Sequence, residues 1–116
     1  MNQLYKATRD ASGAYVVTKL PPSINTGNWE CDPCVPDDGR FLVFASGISQ
    51  KSTDLYVVFA DGKGGWGPWV SLGVKSLNDE YGAHITADAK YLFFTRHTAT
   101  GNTIFWMQVA GIDALR

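Results

Sequence analysis

The chain has 116 residues and a formal net charge of −1, with 45% hydrophobic and 18% charged residues. This length and composition allow one globular domain with a modest core and exclude a disordered chain. The balanced charge, with no run of Lys or Arg, argues against nucleic acid or an anionic membrane as a partner. No apolar stretch approaches the roughly 18 residues of a membrane span, and the N-terminal residues lack the pattern of a signal peptide. The sequence predicts no particular compartment.

Taken in order, the chain is predicted to fold as short β-strands separated by turns. Two longer connectors, 21–31 and 73–81, interrupt the series. Pro68 indicates a sheet edge, because proline has no N–H to donate to a ladder. A helical turn is predicted only at 111–116. The predicted strands are 4–8, 14–19, 33–35, 41–46, 54–60, 66–72, 83–85, 91–95 and 104–109.

A turn followed by an apolar strand occurs twice in the chain. Asp37-Asp-Gly39 is a turn sequence, since glycine accepts positive φ and aspartate hydrogen-bonds its own backbone. It leads into Phe41-Leu-Val-Phe44, which is predicted to be a strand buried on both faces. The same arrangement returns fifty positions later, at 85–96. A unit that returns at a fixed spacing is typical of repeat architectures.

The repeat divides one domain into three units. The first segment matches the middle one, with Leu4-Tyr5 corresponding to Leu55-Tyr56. With the strands of a unit labelled a to d, residues 1–30 carry strands c and d, residues 31–80 carry all four, and residues 81–116 carry a to c. Four antiparallel strands in about 50 residues make a blade of a β-propeller.

The middle unit carries a composite motif from Asn28 to Phe44, at Asp54-Leu-Tyr56, and from Asp61 to Gly73. This motif resembles that of the TolB-type (WD-repeat-like) β-propeller repeats. The family pattern runs from an Asn and a Glu through Pro-x-Ile-Ser-Pro-Asp-Gly-Lys to an apolar strand, then Asp-Ile-Tyr and Asp-Gly-x-Trp-Gly-x-Pro-x-x-Leu-Gly. The pattern departs at Ala89, which stands where the turn glycine is expected. The resemblance implies four-stranded antiparallel propeller blades.

The number of strands raises a problem of closure. Propellers of this family close with about six or more blades, whereas this chain carries about two. An open piece would expose the apolar faces of its blades and its strand edges. We therefore expect a partial propeller that closes by self-association into a ring, with a fragment of a longer protein and a small open pair of sheets as the alternatives.

Cys31-Asp-Pro-Cys34 has the C-x-x-C spacing of redox and zinc sites. A redox pair places its first thiol at a helix N-terminus, whereas this one enters a strand. No second C-x-x-C or His pair completes a zinc site. Half-exposed structural thiols are the favoured interpretation, and no metal or cofactor is predicted.

Four polar residues occupy equivalent positions just before or on the predicted innermost strands. Cys34 is equivalent to His84, and Glu30 to Glu80. In a propeller they would surround the mouth of the central channel, so these four are the predicted ligand-binding residues. The alternative is that the glutamates hold the connectors by hydrogen bonds to the backbone.

The sequence shows no catalytic motif. There is no nucleophile elbow, phosphate loop or dinucleotide fingerprint, and most acidic residues fall in turns, where they have a structural role. The favoured function is a non-catalytic propeller module that binds a protein or small ligand, and no catalytic residue is assigned. The alternative is a fragment of a glycosidase-like propeller enzyme or a carbohydrate-binding propeller.

Overall fold

The computed structural model describes residues 2–48, 52–73 and 79–115. Within these ranges the fold is all-β, as predicted, and no helix is long and apolar enough to span a membrane. Two short 3₁₀ helices, Val109–Gly111 and Asp113–Leu115, follow the last strand. The strands are β1 Tyr5–Arg9, β2 Tyr15–Lys19, β3 Trp29–Cys34, β4 Phe41–Gly47, β5 Thr53–Phe59, β6 Val70–Ser71, β7 Glu80–Ile85, β8 Tyr91–Thr98 and β9 Gly101–Gln108.

The strands form three small antiparallel sheets in chain order. Sheet I contains β1 and β2, sheet II contains β3 to β6, and sheet III contains β7 to β9. Each strand pairs with its neighbours in sequence, so every connection within a sheet is a hairpin or a short loop. None of the sheets closes on itself in the part of the chain that is described.

Several strand predictions were wrong in extent. The last three strands are each three residues longer at one end than predicted, since β7 begins at Glu80, β8 ends at Thr98 and β9 begins at Gly101. The predicted strand 66–72 is reduced to Val70–Ser71, and Trp66 makes only an isolated bridge to Ala60. Pro68 explains the gap, since it cannot donate to the ladder. In contrast, β3 begins at Trp29, four residues before the prediction, because β4 offers pairing partners as far as Gly47.

Sheet II forms the centre of the molecule, and β4 is its most buried strand. All six residues from Phe41 to Ser46 are buried, which confirms the prediction of a strand covered on both faces. One face, with Phe41 and Val43, belongs to a core shared with sheet III. The opposite face, with Phe44, packs with Leu4 and Ile24 of the first unit.

The turn before β4 and the turn before β8 have the same construction. Asp38 and Asp88 each accept a hydrogen bond from the backbone N–H two residues later, at 3.1 Å and 3.0 Å. Gly39 has a φ of 66°, and Ala89 has a φ of 58° in the same left-handed region. Ala89, which is equivalent to Gly39 by repeat, therefore keeps the same turn conformation.

The two ends of the molecule are open. Every residue of β1 and β2 is exposed. Sheet I is anchored by Leu4, which is buried in the core, and by Asn25, whose side chain bonds the backbone of Leu4 and Leu20. At the other end, Ile104 and Trp106 are 71% and 59% exposed on the outer face of sheet III.

Candidate functional site at the inner strands

The strands β3 and β7, here called the inner strands, begin sheets II and III and lie side by side. Each carries a β-bulge at the equivalent place, between Cys31 and Cys34 in β3 and between Tyr81 and His84 in β7. The bulge in β3 takes Pro33 out of the regular ladder, so its missing N–H costs no ladder bond.

A side-chain contact between the bulges links the two strands. The N–H of Gly82 donates to Oδ2 of Asp32 at 3.0 Å. Asp32 has a φ of 52° and its equivalent Gly82 a φ of 64°, so both bulges use a left-handed residue. The carboxylate of one inner strand thus fixes the backbone of the next.

Cys34 and His84 lie on neighbouring segments of these inner strands. The sulfur of Cys34, which is half-buried, accepts a hydrogen bond from the N–H of Ile85 at 3.3 Å. His84 precedes Ile85 and its side chain is exposed. The structure therefore places Cys34 beside the segment that carries His84, and His84 is accessible to solvent.

Glu30 lies at the start of β3 and points away from solvent. Its side chain is fully buried, and its Oε1 accepts hydrogen bonds from both the backbone N–H (3.0 Å) and the hydroxyl of Thr26. Its Oε2 has no hydrogen-bond partner among the described residues. Glu30 thus ties the connector to the inner strand, as the alternative interpretation predicted, but with only one of its two oxygens.

Glu80, its equivalent, is also fully buried but has a cationic partner. Oε1 of Glu80 lies 3.3 Å from a guanidinium nitrogen of Arg96. That guanidinium stacks over the rings of Phe94 and Phe105, 5.4 Å and 4.9 Å from their centres. The backbone carbonyl of Glu80 accepts a hydrogen bond from the hydroxyl of Thr53 in sheet II. The side chain of Glu80 therefore joins two strands of sheet III, and its backbone carbonyl contacts sheet II.

The C-x-x-C pair has the properties of structural thiols. Both cysteines are free. Burial, with the negative charges of Asp32 and Glu30, raises the pKa of Cys31 to about 11. A thiol that stays protonated is a poor nucleophile and a poor metal ligand. In the described ranges, His, Cys, Asp and Glu side chains form no group of three or more that could hold a metal ion.

Trp69 is half-buried and packs against the core between the first unit and sheet II. Its ring lies 4.8 Å from that of Phe44 and 5.2 Å from that of Tyr56, and its Nε1 donates to the carbonyl of Ser23 at 2.7 Å. These contacts join the connector of the first unit to sheet II. Trp69 therefore has a packing role.

Sequence reasoning missed a groove beside the free side of β1. It has a volume of about 530 Å³ and is lined by residues 2–5 and 30–33. The signal was present in the sequence, because the first unit was predicted to carry only its outer strands c and d, which leaves space beside the inner strand of the second unit.

Comparisons of the chain with protein-family models, with curated proteins and with solved structures give no match. We therefore infer its function from the geometry.

Proposed function

We propose that the chain is a non-catalytic β-propeller repeat module that self-associates through its two ends and serves as a binding scaffold. The observation that carries this proposal is that one sheet face, covered in sheet II, is open in sheet III. Cyclic assembly is the common way for a repeated protein surface to become buried.

The two faces correspond residue by residue. In sheet II, Val43 pairs with Val57, and the equivalent pair in sheet III is Phe93 with Trp106. On the sheet II face all five members are buried beneath sheet III: Phe41, Val43, Ala45, Leu55 and Val57. On the sheet III face the equivalents Tyr91, Phe93, Thr95, Ile104 and Trp106 have no sheet over them among the described residues.

The open face has the composition of a contact surface. Tyr91 and Trp106 form an edge-to-face pair with ring centres 5.6 Å apart, and Ile104 lies beside them on the same face. Contiguous exposed apolar side chains of this kind mark interaction sites more often than isolated ones do. We propose that this face packs against a second copy of the chain, in the way that the equivalent face of sheet II packs against sheet III.

Sheet I supplies the other half of the contact. A two-stranded hairpin is marginally stable in water by itself, and this one exposes Tyr15 and Val17 at 65% each. A head-to-tail contact between sheet III of one copy and sheet I of the next would cover both ends. Such a contact closes into a ring when the rotation per copy allows it.

The binding role rests on what the inner strands leave accessible. Glu30 and Glu80 are buried in structural contacts, whereas His84 is exposed next to Cys34. We propose that a ligand of the assembled module is bound at this inner edge. No cofactor is needed for this function.

The experiment is to place a charge on the open face and measure mass in solution by light scattering. Ile104→Lys changes a side chain that is 71% exposed, so its effect on folding should be small. The matched control is Ala87→Lys, which adds the same charge in an exposed turn. We expect Ile104→Lys to lower the mass to that of one chain and Ala87→Lys to leave the assembly unchanged. Equal masses for both variants and the unmodified chain would contradict the proposed interface.

A further inference from the structure

The groove beside β1 contains a buried carboxylate without a counterion. Glu30 lies in its wall with 0% exposure, and Oε2 of that side chain has no protein partner within the described ranges. Burying a charge without a partner is costly, and the cost falls when an opposite charge approaches.

The equivalent carboxylate, that of Glu80, shows which group can neutralise a buried charge at this position. Glu80 stands opposite Arg96 in the β7–β8 ladder and binds its guanidinium through Oε1, while its own Oε2 has no hydrogen-bond partner among the described residues. What distinguishes Glu80 from Glu30 is therefore the counterion and not the state of Oε2. Glu30 stands opposite Ser46 in the β3–β4 ladder, so the repeat supplies a hydroxyl where the other unit supplies a cation. The ion pairs found in the described part of the chain are Arg96 with Glu80 and Arg40 with Asp38, and neither involves Glu30.

The groove has a negative potential beyond Glu30 itself. Asp32 lies in the same wall. After burial, the charges of Asp32 and Glu30 are the causes that raise the pKa of Cys31, which also lines the groove. A cation in this groove would therefore be attracted by the negative charges of two carboxylates.

We infer that this groove binds a guanidinium group, which neutralises the buried charge of Glu30 by contacting its Oε2, as Arg96 neutralises Glu80 by contacting its Oε1. A guanidinium fits better than an ammonium because it is planar, weakly hydrated and able to donate to two acceptors at once. Oε2 has no exposed surface in the free chain. Binding therefore requires a rearrangement in the wall of the groove that exposes this atom. The inference goes beyond the proposed function and does not depend on ring closure.

The test uses N-acetyl-arginine amide as the probe and N-acetyl-citrulline amide, which has nearly the same shape but no charge, as its control. Binding is followed by shifts of backbone amide resonances at residues 2–5 and 30–33. We expect the arginine compound to bind at least tenfold more tightly than the citrulline compound. Equal binding of the two compounds, or no shift with either, would overturn the inference.

Two protein variants assign the binding to Glu30. Glu30→Gln removes the charge while keeping an oxygen for Thr26, and Asp37→Asn removes one exposed charge elsewhere. We expect at least a tenfold loss of affinity in Glu30→Gln and none in Asp37→Asn. Equal affinity in Glu30→Gln and the unmodified chain contradicts the assignment.

A measurement on the unmodified chain covers the case in which Glu30→Gln fails to fold. Cys31 lines the groove and Cys34 does not, so alkylation of Cys34 is an internal reference. The arginine compound should slow alkylation of Cys31 relative to Cys34, and the citrulline compound should not. Equal protection by both compounds, or none, counts against the site.

The guanidinium could come from a small molecule or from an arginine of a polypeptide. A further binding measurement, with a peptide as the ligand, distinguishes these two sources. The peptide carries one arginine in an extended Thr/Val sequence that can also pair with the free edge of β1. Binding at least tenfold tighter than that of the amide assigns the groove to a polypeptide arginine. Equal binding assigns it to a small guanidinium compound.

Discussion

At the residue scale, the left-handed Ala89 is a position where the sequence departs from its own repeat. Left-handed backbone costs an L-residue about 1–2 kcal/mol, which exceeds the entropy cost of glycine. Thr86 and Asp88 hold the turn despite this cost, since the Thr86 hydroxyl donates to Asp88 at 2.6 Å and accepts from the N–H of Tyr91 at 3.1 Å. Local hydrogen bonds thus replace the glycine.

We predict that Ala89→Gly stabilises the chain. Relief of the left-handed strain should raise the free energy of unfolding by about 0.5 kcal/mol, reduced by the loss of a partly buried methyl group. The reciprocal change Gly39→Ala should lower it by about 1 kcal/mol, because the added Cβ meets no atom within 4 Å and only the backbone is strained. Urea unfolding measures both. A loss of stability in Ala89→Gly would show that the methyl contact outweighs the strain.

The lowered pKa values of three aspartates in turns lead us to predict that the free energy of unfolding declines at low pH. The hydroxyl of Ser12 lowers the pKa of Asp10, the N–H of Lys63 that of Asp61, and the hydroxyl of Thr86 that of Asp88, each from an ordinary value of 3.8. Because the folded pKa lies below the unfolded one, this stabilisation is present above the unfolded pKa and is lost as the pH falls through the folded pKa.

Urea unfolding between about pH 5 and pH 2 should therefore show a falling free energy. Asp61→Asn retains an acceptor oxygen in its turn but cannot titrate. The free energy of unfolding of this variant should therefore fall less steeply with decreasing pH than that of the unmodified chain. Parallel curves for this variant and the unmodified chain would mean that Asp61 does not contribute.

At the scale of elements, β4 and β8 are equivalent strands with equivalent buried phenylalanines. Phe44 is 0% and Phe94 is 3% exposed, as the repeat predicts. Phe44 packs edge-to-face on Trp69 at 4.8 Å, and Phe94 stacks on Phe105 at 6.0 Å. The two residues occupy the same place in different environments.

We predict that Phe44→Ala and Phe94→Ala each lower the free energy of unfolding by about 3–5 kcal/mol, since each removes a buried ring and leaves a cavity. The control is Phe93→Ala, a neighbour that is 37% exposed and should cost less in the free chain. Chemical denaturation compares the three variants. A loss below about 1 kcal/mol at Phe44 or Phe94 would contradict the assigned packing.

The sequence predicted the strands whose signal is local and missed features that depend on distant partners. The apolar run before Ser46 indicated burial on both faces by composition alone. The early start of β3 at Trp29 depends on pairing with β4, and the pairing of Glu80 with Arg96 depends on the ladder register. Neither is encoded in a short window. Equivalence by repeat correctly related Glu30 to Glu80 in position, but it did not reveal that only one has a cation.

At the scale of the whole molecule, the three sheets form an open series. Sheet II is covered on both sides, by sheet III through one core and by the first unit through another. Sheets I and III each have a face without a neighbour in the part of the chain that is described. The same type of contact that joins sheets II and III would, if repeated between copies, bury both of these faces.

The most direct test of this account is native mass spectrometry of the unmodified chain over a range of concentrations. We predict one discrete species at an integer multiple of 12.7 kDa, of at least two copies. Because a closed ring has no free end, its mass should not grow as the concentration rises. A sharp species at 12.7 kDa at all concentrations would contradict self-association, and a ladder of increasing masses would contradict closure.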